Sequence, residues 1–267
     1  MTLVDEPSPP VRLSRSGAVG TLTLSRPGNG NALGVAMAEA LNSSIRQVAD
    51  DPAVRCVLVT GEGRFFCVGG DVKSMGATDD VGPLLDRITM PLHEAVATLL
   101  RMDKPVVIAV NGPVAGGGLG LALAGDIVIA AQSAHFSLAY AGIGFSPDGA
   151  SSWLLPRLIG MRRTQELALL NKRLSSAEAA ELGLVTRVVA DEHLVADATA
   201  TAEAIASGPV AAFAATRRLL LSSWSASPEE QMAAEATSVR MQGAGPEGRE
   251  GLAAFLGRRP ADFGARP

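Results

Sequence analysis

Two glycine-rich loops hold the residues whose type and spacing point most directly to chemistry. The first runs from Gly61 to Gly70 and the second from Gly112 to Gly120, and each follows a short apolar segment. Glycine leaves its backbone N–H unobstructed, and an N–H at the start of a helix has no partner inside that helix. One N–H from each loop could therefore hold a single oxygen atom that gains negative charge. The alternative is that these glycines only let a helix and a strand pack closely.

Few titratable side chains accompany the second loop. Residues 112–154 contain only Asp126, His135, Tyr140 and Asp148. A general acid or base must come from such groups, because it has to reach the reacting carbon. Asp148 follows Pro147 at the start of a predicted helix, where a carboxylate is also a good N-cap. Both roles stay open for Asp148, whereas we interpret Asp126 and His135 as structural residues.

The composition excludes several classes of protein. The chain has 267 residues, with 27 acidic and 23 basic side chains, and 47% of its residues are hydrophobic. It lacks the basic balance of a nucleic-acid binder, the polarity of a disordered chain and the cysteines of a disulfide scaffold. No Cys/His pair has the spacing of a metal site. Polar residues and glycines break the longest apolar stretch, so we predict no membrane span and expect a cytoplasmic protein.

Apolar patterning predicts an α/β body followed by a helical tail. Strands are predicted at residues 18–25, 56–60, 106–110 and 126–130, and helices at 35–49, 82–102 and 116–124. Beyond residue 190 the pattern becomes wholly helical, with helices predicted at 199–207, 209–222, 228–242 and 247–258. Capping boxes are predicted at Ser175 and Ser227. We therefore divide the chain into a flexible arm (1–10), an α/β core (11–198) and a helical C-terminal region (199–267).

Several longer segments form a series of sequence motifs along the chain. They include S-R-P-G-N-G-N-A-L at residues 25–33, G-E-G-R-F-F-C-V-G-G-D-V at 61–72 and K-P-V-V-I-A-V-N-G-P-V-A-G-G-G at 104–118. G-D-I-V-I-A-A at 125–131, P-D-G-A-S-S-W-L-L-P-R-L-I-G at 147–160 and E-G-L-A-A-F-L-G-R-R-P-A-D-F at 250–263 follow in order. In order and spacing these segments resemble the crotonase, or enoyl-CoA hydratase/isomerase, superfamily, over residues 11 to 263.

This resemblance implies a fold, a substrate class and a catalytic device. The fold would be a crotonase-type spiral of ββα units with a C-terminal helical trimerisation region, giving a homotrimer or a hexamer made of two trimers. The substrate would be an acyl-CoA thioester, so that coenzyme A enters as part of the substrate and no separate cofactor is implied. The N–H groups of Gly70 and Gly117 would hold the thioester oxygen when it becomes an oxyanion.

The resemblance also raises the question of which carboxylate acts. Hydratases of this family use two glutamates, and at the matching positions this chain has Gly120 and Tyr140. The run I-G-F-S-P-D-G-A-S-S-W-L-L-P-R, residues 143–157, is instead similar to the bacterial isomerases of phenylacetate degradation. In those enzymes the aspartate of the P-D pair moves the proton, and the matching aspartate in this chain is Asp148. We therefore expect an enoyl-CoA isomerase, with hydration or non-catalytic acyl-CoA binding as alternatives.

The remaining site residues follow from the resemblance alone. It assigns the CoA moiety to Arg26, to the turn with Asn31 and Ala32, and to the carbonyl of Val68. It also assigns substrate contacts to Asp71, Val72, Tyr140, Phe255 and Arg258. His93 and Glu94, on the helix after the first loop, are further candidates near the acyl chain. We predict apolar pocket walls at Met75, Ile88, Leu92, Phe145 and Trp153.

Overall fold

A computed structural model describes residues 9 to 264, so most of the predicted N-terminal arm lies outside the described residues. The strands are β1 (Val11–Ser16), β2 (Val19–Leu24), β3 (Cys56–Gly61), β4 (Val106–Val110), β5 (Val114–Ala115), β6 (Ile127–Ala131), β7 (His135–Ser137), β8 (Arg173–Ser175) and β9 (Arg187–Val189). The helices are α1 (Val35–Asp50), α2 (Val72–Gly76), α3 (Gly82–Arg101), α4 (Gly117–Leu123), α5 (Ser151–Leu169), α6 (Ser176–Glu181), α7 (Leu194–Ser207), α8 (Val210–Ser222), α9 (Pro228–Ala244) and α10 (Pro246–Leu256).

The larger sheet positions both glycine loops at one edge. Its described strands lie in the order β1-β2-β3-β4-β6-β9, and all neighbours pair in parallel except the antiparallel β1–β2 hairpin. Strand β4 is buried along its whole length, as expected for a continuous apolar run covered on both faces. Because β3 and β4 are parallel neighbours, the loops that follow them leave the sheet side by side.

A smaller sheet and two backbone bridges bring the loops into contact. Strands β5, β7 and β8 form this second sheet within the described residues. Cys67, in the first loop, pairs with Val114 at the start of β5, and the Ala115 N–H donates to the Cys67 carbonyl at 3.0 Å. Leu33 pairs with Gly70 on the other side of the same loop. The first loop is therefore fixed by backbone hydrogen bonds to two other parts of the chain.

Helix α7 belongs to the core and not to the tail. The boundary predicted at residue 199 falls inside this helix, which begins at Leu194. Its buried alanines, Ala198 and Ala202, are fully covered where the helix packs on β3 and β4. Alanine gives no strong apolar stripe, so the sequence pattern missed the first turn. The helical region beyond the core starts with α8.

Helices α8 to α10 attach to the core through few buried side chains. Helix α9 buries none of its residues, and its apolar side chains Met232, Val239 and Met241 are largely exposed. Arg217 of α8 makes the main polar attachment. Its side chain is only 10% exposed, and its guanidinium pairs with Asp126 at 2.8 Å and donates to the carbonyls of Leu99, Met102 and Lys104. Asp126 is therefore structural, as predicted.

Other predicted elements agree with the structure. Both predicted capping boxes are present, with Ser175 paired to Glu178 and Ser227 to Glu230. No helix among residues 9–264 is long and apolar enough to cross a membrane.

Candidate active site

A cavity lies between the two glycine loops and helix α3. It encloses about 560 Å³, and its walls are mainly apolar. Four of the predicted wall residues line it, Met75, Ile88, Leu92 and Phe145. Trp153 does not: it lines a separate cavity and packs against Trp224. Among the described residues that line the cavity, Asp148 alone carries a charged side chain.

The predicted backbone donors, Gly70 and Gly117, both line this cavity. Gly117 is the first residue of α4, so its N–H has no partner within the helix. Gly70 follows Gly69, which has a φ of +89°, and a β-carbon built on Gly69 would lie 2.9 Å from the Ala115 carbonyl oxygen. Only glycine permits that approach. The two loops thus touch backbone to backbone just where the two N–H groups are presented.

Distances from the glycine positions show that the donors and the carboxylate converge. A β-carbon built on Gly117 would lie 3.6 Å from Asp148 Oδ1. One built on Gly116 would lie 3.9 Å from the Gly70 nitrogen and 3.9 Å from the Tyr140 ring. The cavity therefore combines two backbone donors with one carboxylate, which is the set needed to form and stabilise an enolate.

Asp148 is not a helix cap. Helix α5 begins at Ser151, and its N-cap residue is Ala150 with a left-handed φ of 63°. The Asp148 backbone carbonyl, not the carboxylate, accepts hydrogen bonds from the Ser151 N–H and hydroxyl, at 3.0 and 2.6 Å. The carboxylate therefore does not cap α5, and Asp148 lines the cavity instead.

Two side chains hold the Asp148 carboxylate. The Tyr140 hydroxyl donates to Oδ1, and His93 Nε2 lies 3.2 Å from Oδ2. Burial, together with the negative charge of Asp148, raises the pKa of Tyr140 well above its ordinary value, so the phenol keeps its proton and remains a donor. His93 was only one of two candidates on α3. The other, Glu94, binds Asn42 and Arg46 away from the cavity.

Backbone occupies the space in which a side chain at position 120 would stand. A β-carbon on Gly120 would lie 2.1 Å from the Gly149 carbonyl oxygen, far inside van der Waals contact. Any larger residue at this position would have to push away the loop that carries Asp148. The carboxylate that the resemblance places here in hydratases is therefore sterically excluded, in addition to being absent from the sequence.

Two residues predicted to contact substrate have structural roles for their side chains. Asn31 is fully buried, and its amide donates to the carbonyls of Glu62, Phe65 and Phe66. Asp71 caps α2 by accepting from the backbone N–H and the hydroxyl of Ser74. Both side chains fix the loop that ends at Gly70, and the predicted contacts of these two positions with substrate remain proposals.

The other predicted contacts divide into two groups. Val68, Val72 and Tyr140 line the cavity. Arg26, Ala32, Phe255 and Arg258 do not line it, and Phe255 on α10 is 81% exposed. These four positions therefore keep their predicted roles toward CoA only as proposals.

The Cys67 thiol is a buried packing group. Burial raises the pKa of the Cys67 thiol to about 12, so it stays protonated and packs against the second loop. The residues from 9 to 264 contain no group of three or more His, Cys, Asp or Glu side chains that could hold a metal ion.

Comparison with known proteins gives one consistent family. The family model described as enoyl-CoA hydratase/isomerase matches residues 14–266. The chain is 39% identical to the 1,2-epoxyphenylacetyl-CoA isomerase of Escherichia coli over 248 residues, which cover 91% of this chain and 94% of that one. It is 33% identical to a 4-chlorobenzoyl coenzyme A dehalogenase of an Arthrobacter species, over 74% of this chain and 73% of the relative.

A solved structure has the same fold. The enoyl-CoA hydratase of Polaromonas sp. JS666 superposes with a TM-score of 0.90 at 32% identity, covering 94% of this chain and 98% of its own. The expected crotonase-type α/β fold is thus confirmed. The family match spans nearly the whole chain and includes both loops and Asp148. This chain belongs to the enoyl-CoA hydratase/isomerase family of acyl-CoA enzymes.

Proposed function

We propose that this chain is an enoyl-CoA isomerase that shifts a double bond with Asp148 as its base. One observation carries this proposal: the only charged side chain lining the described cavity is a carboxylate beside the Gly117 donor. An allylic shift needs one group that removes a proton and returns it. A single carboxylate is sufficient for that reaction and insufficient for one that needs a separate acid and base.

The proposed reaction proceeds in two proton transfers. Asp148 takes a proton from C2 of a 3-enoyl-CoA, the C2–H electron pair forms an enolate, and the charge on the thioester oxygen is held by Gly70 and Gly117 N–H. The same carboxyl then delivers a proton to C4, and the double bond settles between C2 and C3. Loss of one oxyanion donor typically costs about 3 kcal/mol of barrier lowering, so both loops matter.

Tyr140 has a defined part in this scheme. Its hydroxyl donates to Oδ1, which fixes the carboxylate and leaves Oδ2 as the second oxygen in the site. The hydroxyl thereby holds the carboxylate in one orientation beside the proposed oxyanion donors.

Hydration fits the cavity less well. Water addition uses one group to activate the water and another to protonate the carbon, and Asp148 is the only carboxylate among the described lining residues. The Gly149 carbonyl closes the place where a second carboxylate would enter at position 120. We therefore rank hydration of a 2-enoyl-CoA below isomerisation and non-catalytic acyl-CoA binding below both.

Side-by-side assays of a 3-enoyl-CoA and a 2-enoyl-CoA test the proposal. We expect the purified protein to isomerise the first and to add water to the second slowly or not at all. Asp148→Asn keeps the shape of the side chain and removes the base, so isomerisation should fall by about 10²-fold or more. Glu94→Gln is the matched control, since its carboxylate binds on the outer side of α3. Unchanged turnover by Asp148→Asn would reject the assigned base.

One contact favours a second candidate, hydrolytic dehalogenation of an aryl-CoA. A carboxylate with an imidazole 3.2 Å away is a nucleophile and base pair, and one relative is named a 4-chlorobenzoyl coenzyme A dehalogenase. Asp148 would displace chloride from the ring carbon to form an aryl ester. Water, giving a proton to His93, would then attack the ester carbonyl and release the hydroxyaryl-CoA. Chloride release from 4-chlorobenzoyl-CoA tests this candidate, and its absence would eliminate it.

We also propose self-association through the C-terminal helices, as a trimer or a dimer of trimers in the cytoplasm. Apolar side chains on α9 and α10 are exposed, including Val239, Leu252, Phe255 and Leu256. Association would bring the proposed CoA contacts Phe255 and Arg258 close to the cavity of a neighbouring copy. Sedimentation velocity measures the assembly, and a stable monomer at micromolar concentration would reject this arrangement.

A further inference from the structure

The contact between Asp148 and His93 joins two separate cavities. Asp148 lines the cavity of the candidate active site, whereas His93 lines a second cavity of about 370 Å³ together with Val96, Leu100 and Trp153. Neither residue lines the other's cavity. The His93 side chain is 50% exposed, and that of Asp148 only 25%. The pair thus links an enclosed carboxylate to a solvent-exposed ring.

The proton between His93 Nε2 and Asp148 Oδ2 can be carried by either atom. Nε2 accepts a hydrogen bond from the Gly149 N–H at 3.2 Å and also lies 3.2 Å from Asp148 Oδ2. A ring nitrogen carries either a lone pair or a proton. While it accepts from Gly149, the contact with Oδ2 needs a proton on Asp148. When Nε2 carries the proton, it donates to Oδ2 and Gly149 loses its acceptor.

We propose that His93 is a relay residue that exchanges the proton held by Asp148 with solvent. This inference deepens the proposed isomerase function and rests on it. After Asp148 has taken the C2 proton, its Oδ2–H bond breaks and an Nε2–H bond forms on His93. The imidazolium then releases its Nδ1 proton to water at the exposed side of the ring. The reverse sequence returns a solvent proton to Asp148, so that water is the only co-reactant.

Two fates therefore compete for the proton taken from substrate. Direct return to C4 keeps the original hydrogen, whereas passage through His93 replaces it with hydrogen from solvent. The ratio of these fates depends on His93 and not on how fast the enolate forms. A residue that only supported Asp148 structurally would change turnover without changing this ratio.

Isomerisation of a 3-enoyl-CoA in D₂O measures the ratio. Mass spectrometry and proton NMR report deuterium at C4 of the product and at C2 of the recovered substrate. We expect the wild-type protein to incorporate deuterium into most product molecules. In His93→Gln the amide oxygen can still accept from Gly149 but cannot relay a proton, so deuterium incorporated per turnover should fall about tenfold. Glu94→Gln, on the neighbouring position of α3, should match wild type.

A second variant separates relay from folding. His93→Ala enlarges the second cavity next to the carboxylate, and added imidazole should restore deuterium incorporation in this variant but not in His93→Gln. Equal incorporation per turnover in wild type and His93→Gln would overturn the relay. So would a His93→Ala variant that folds and turns over but is not rescued by imidazole.

The failure of the relay and the failure of the proposed function are distinguishable. If no double-bond shift occurs but C2 of the 3-enoyl-CoA exchanges with D₂O in a His93-dependent way, the isomerase is rejected and the relay stands. If isomerisation proceeds with the original hydrogen retained in wild type, the isomerase stands and the relay is rejected.

Discussion

Asp148 is set apart by neighbours that constrain its carboxylate without neutralising it. The Tyr140 hydroxyl donates to Oδ1, and His93 Nε2 lies 3.2 Å from Oδ2. In the proposed reaction the same carboxyl group acts first as base and then as acid, and these contacts hold it in place for both steps.

Tyr140 should titrate abnormally, and it can be observed alone because it is the only tyrosine in the chain. Burial and the Asp148 charge raise its pKa, so in the folded protein we expect no tyrosinate absorbance at 295 nm as pH passes about 10, where an unfolded chain ionises. Above that pH the folded state holds more protons than the unfolded state, so this group lowers stability as pH rises.

Two comparisons sharpen the Tyr140 titration. Asp148→Asn removes the neighbouring charge but not the burial, so the tyrosine should ionise at a lower pH than in wild type and still above the value in denaturant. A normal titration near pH 10 in the folded wild-type protein would contradict the contact between the phenol and the carboxylate.

Gly120 should not tolerate even a methyl group. Its β-carbon position overlaps the Gly149 carbonyl, so Gly120→Ala should lower the free energy of unfolding by about 1–3 kcal/mol through overpacking. It should also reduce the proposed isomerisation, because the displaced loop carries Asp148. Gly243 in α9 is the control: nothing lies within 4 Å of its β-carbon position, so Gly243→Ala should cause no loss. Urea unfolding measures the free energy of unfolding of both variants. A Gly120→Ala variant as stable as the wild-type protein would refute the overlap.

At the scale of elements, one buried amide positions the first loop. Asn31 accepts from the Arg26 N–H and donates to three carbonyls of residues 62–66. Its own backbone is left-handed, with a φ of 55°. The turn after β2 is thereby tied to the loop after β3, and this tie precedes the Gly70 donor by only a few residues.

Removing that amide should cost about 2–4 kcal/mol of unfolding free energy, because several buried carbonyls lose their donor. Asn31→Gly removes the side chain alone, while Asn31→Ala adds about 1 kcal/mol for the left-handed backbone, so the alanine variant should be the less stable. Asn29→Ala, in the exposed turn, is the control and should change stability by less than about 0.5 kcal/mol. Equal stability of the Asn31 and Asn29 variants in chemical denaturation would disprove the role of the Asn31 amide in tying the two loops together.

Elements with strong periodicity were predictable, and those fixed by tertiary contacts were not. Helices α1 and α3 have buried residues at helical spacing, and their predicted bounds agree with the structure to within one residue. Helix α5 was predicted to begin at Pro147 but begins at Ser151, since two left-handed residues, Gly149 and Ala150, delay it. No local pattern announces that delay, yet it frees the Asp148 carboxylate.

The candidate site was predictable to a similar degree. Motifs predicted Gly70, Gly117 and Asp148 as site residues, and all three line the same cavity. His93 and Glu94 are adjacent on α3 and therefore point in different directions, and the choice between them depends on how α3 packs. Asn31 and Asp71 stand in motif positions, but their partners, the carbonyls of a distant loop and Ser74, appear only in three dimensions.

At the scale of the whole molecule, Arg217 fastens the C-terminal helices to the core. Arg217→Ala removes donors from three backbone carbonyls and leaves Asp126 without its ion pair, so we expect a loss of about 2–4 kcal/mol. Arg218→Ala, one residue away, removes an exposed ion pair with Asp103 and should cost less than about 1 kcal/mol.

Tryptophan fluorescence provides the readout for this comparison. Trp153 of α5 and Trp224, after α8, are the only tryptophans of the chain, and their rings lie 4.4 Å apart. Separation of the C-terminal helices should therefore alter the emission before the far-ultraviolet circular dichroism signal is lost. If the fluorescence and circular dichroism transitions coincide, and Arg217→Ala and Arg218→Ala unfold with equal midpoints, Arg217 has no special role in attaching these helices.

The carbonyl of Gly149 beneath Gly120 has a consequence for how such enzymes diverge. A single change at position 120 that supplied a carboxylate would collide with the backbone at residue 149, 29 positions further along the chain. Gain of the second carboxylate and retreat of the loop must therefore occur together, and either change alone gives a damaged protein. Position 120 and the loop at residue 149 should therefore change as a pair between lineages.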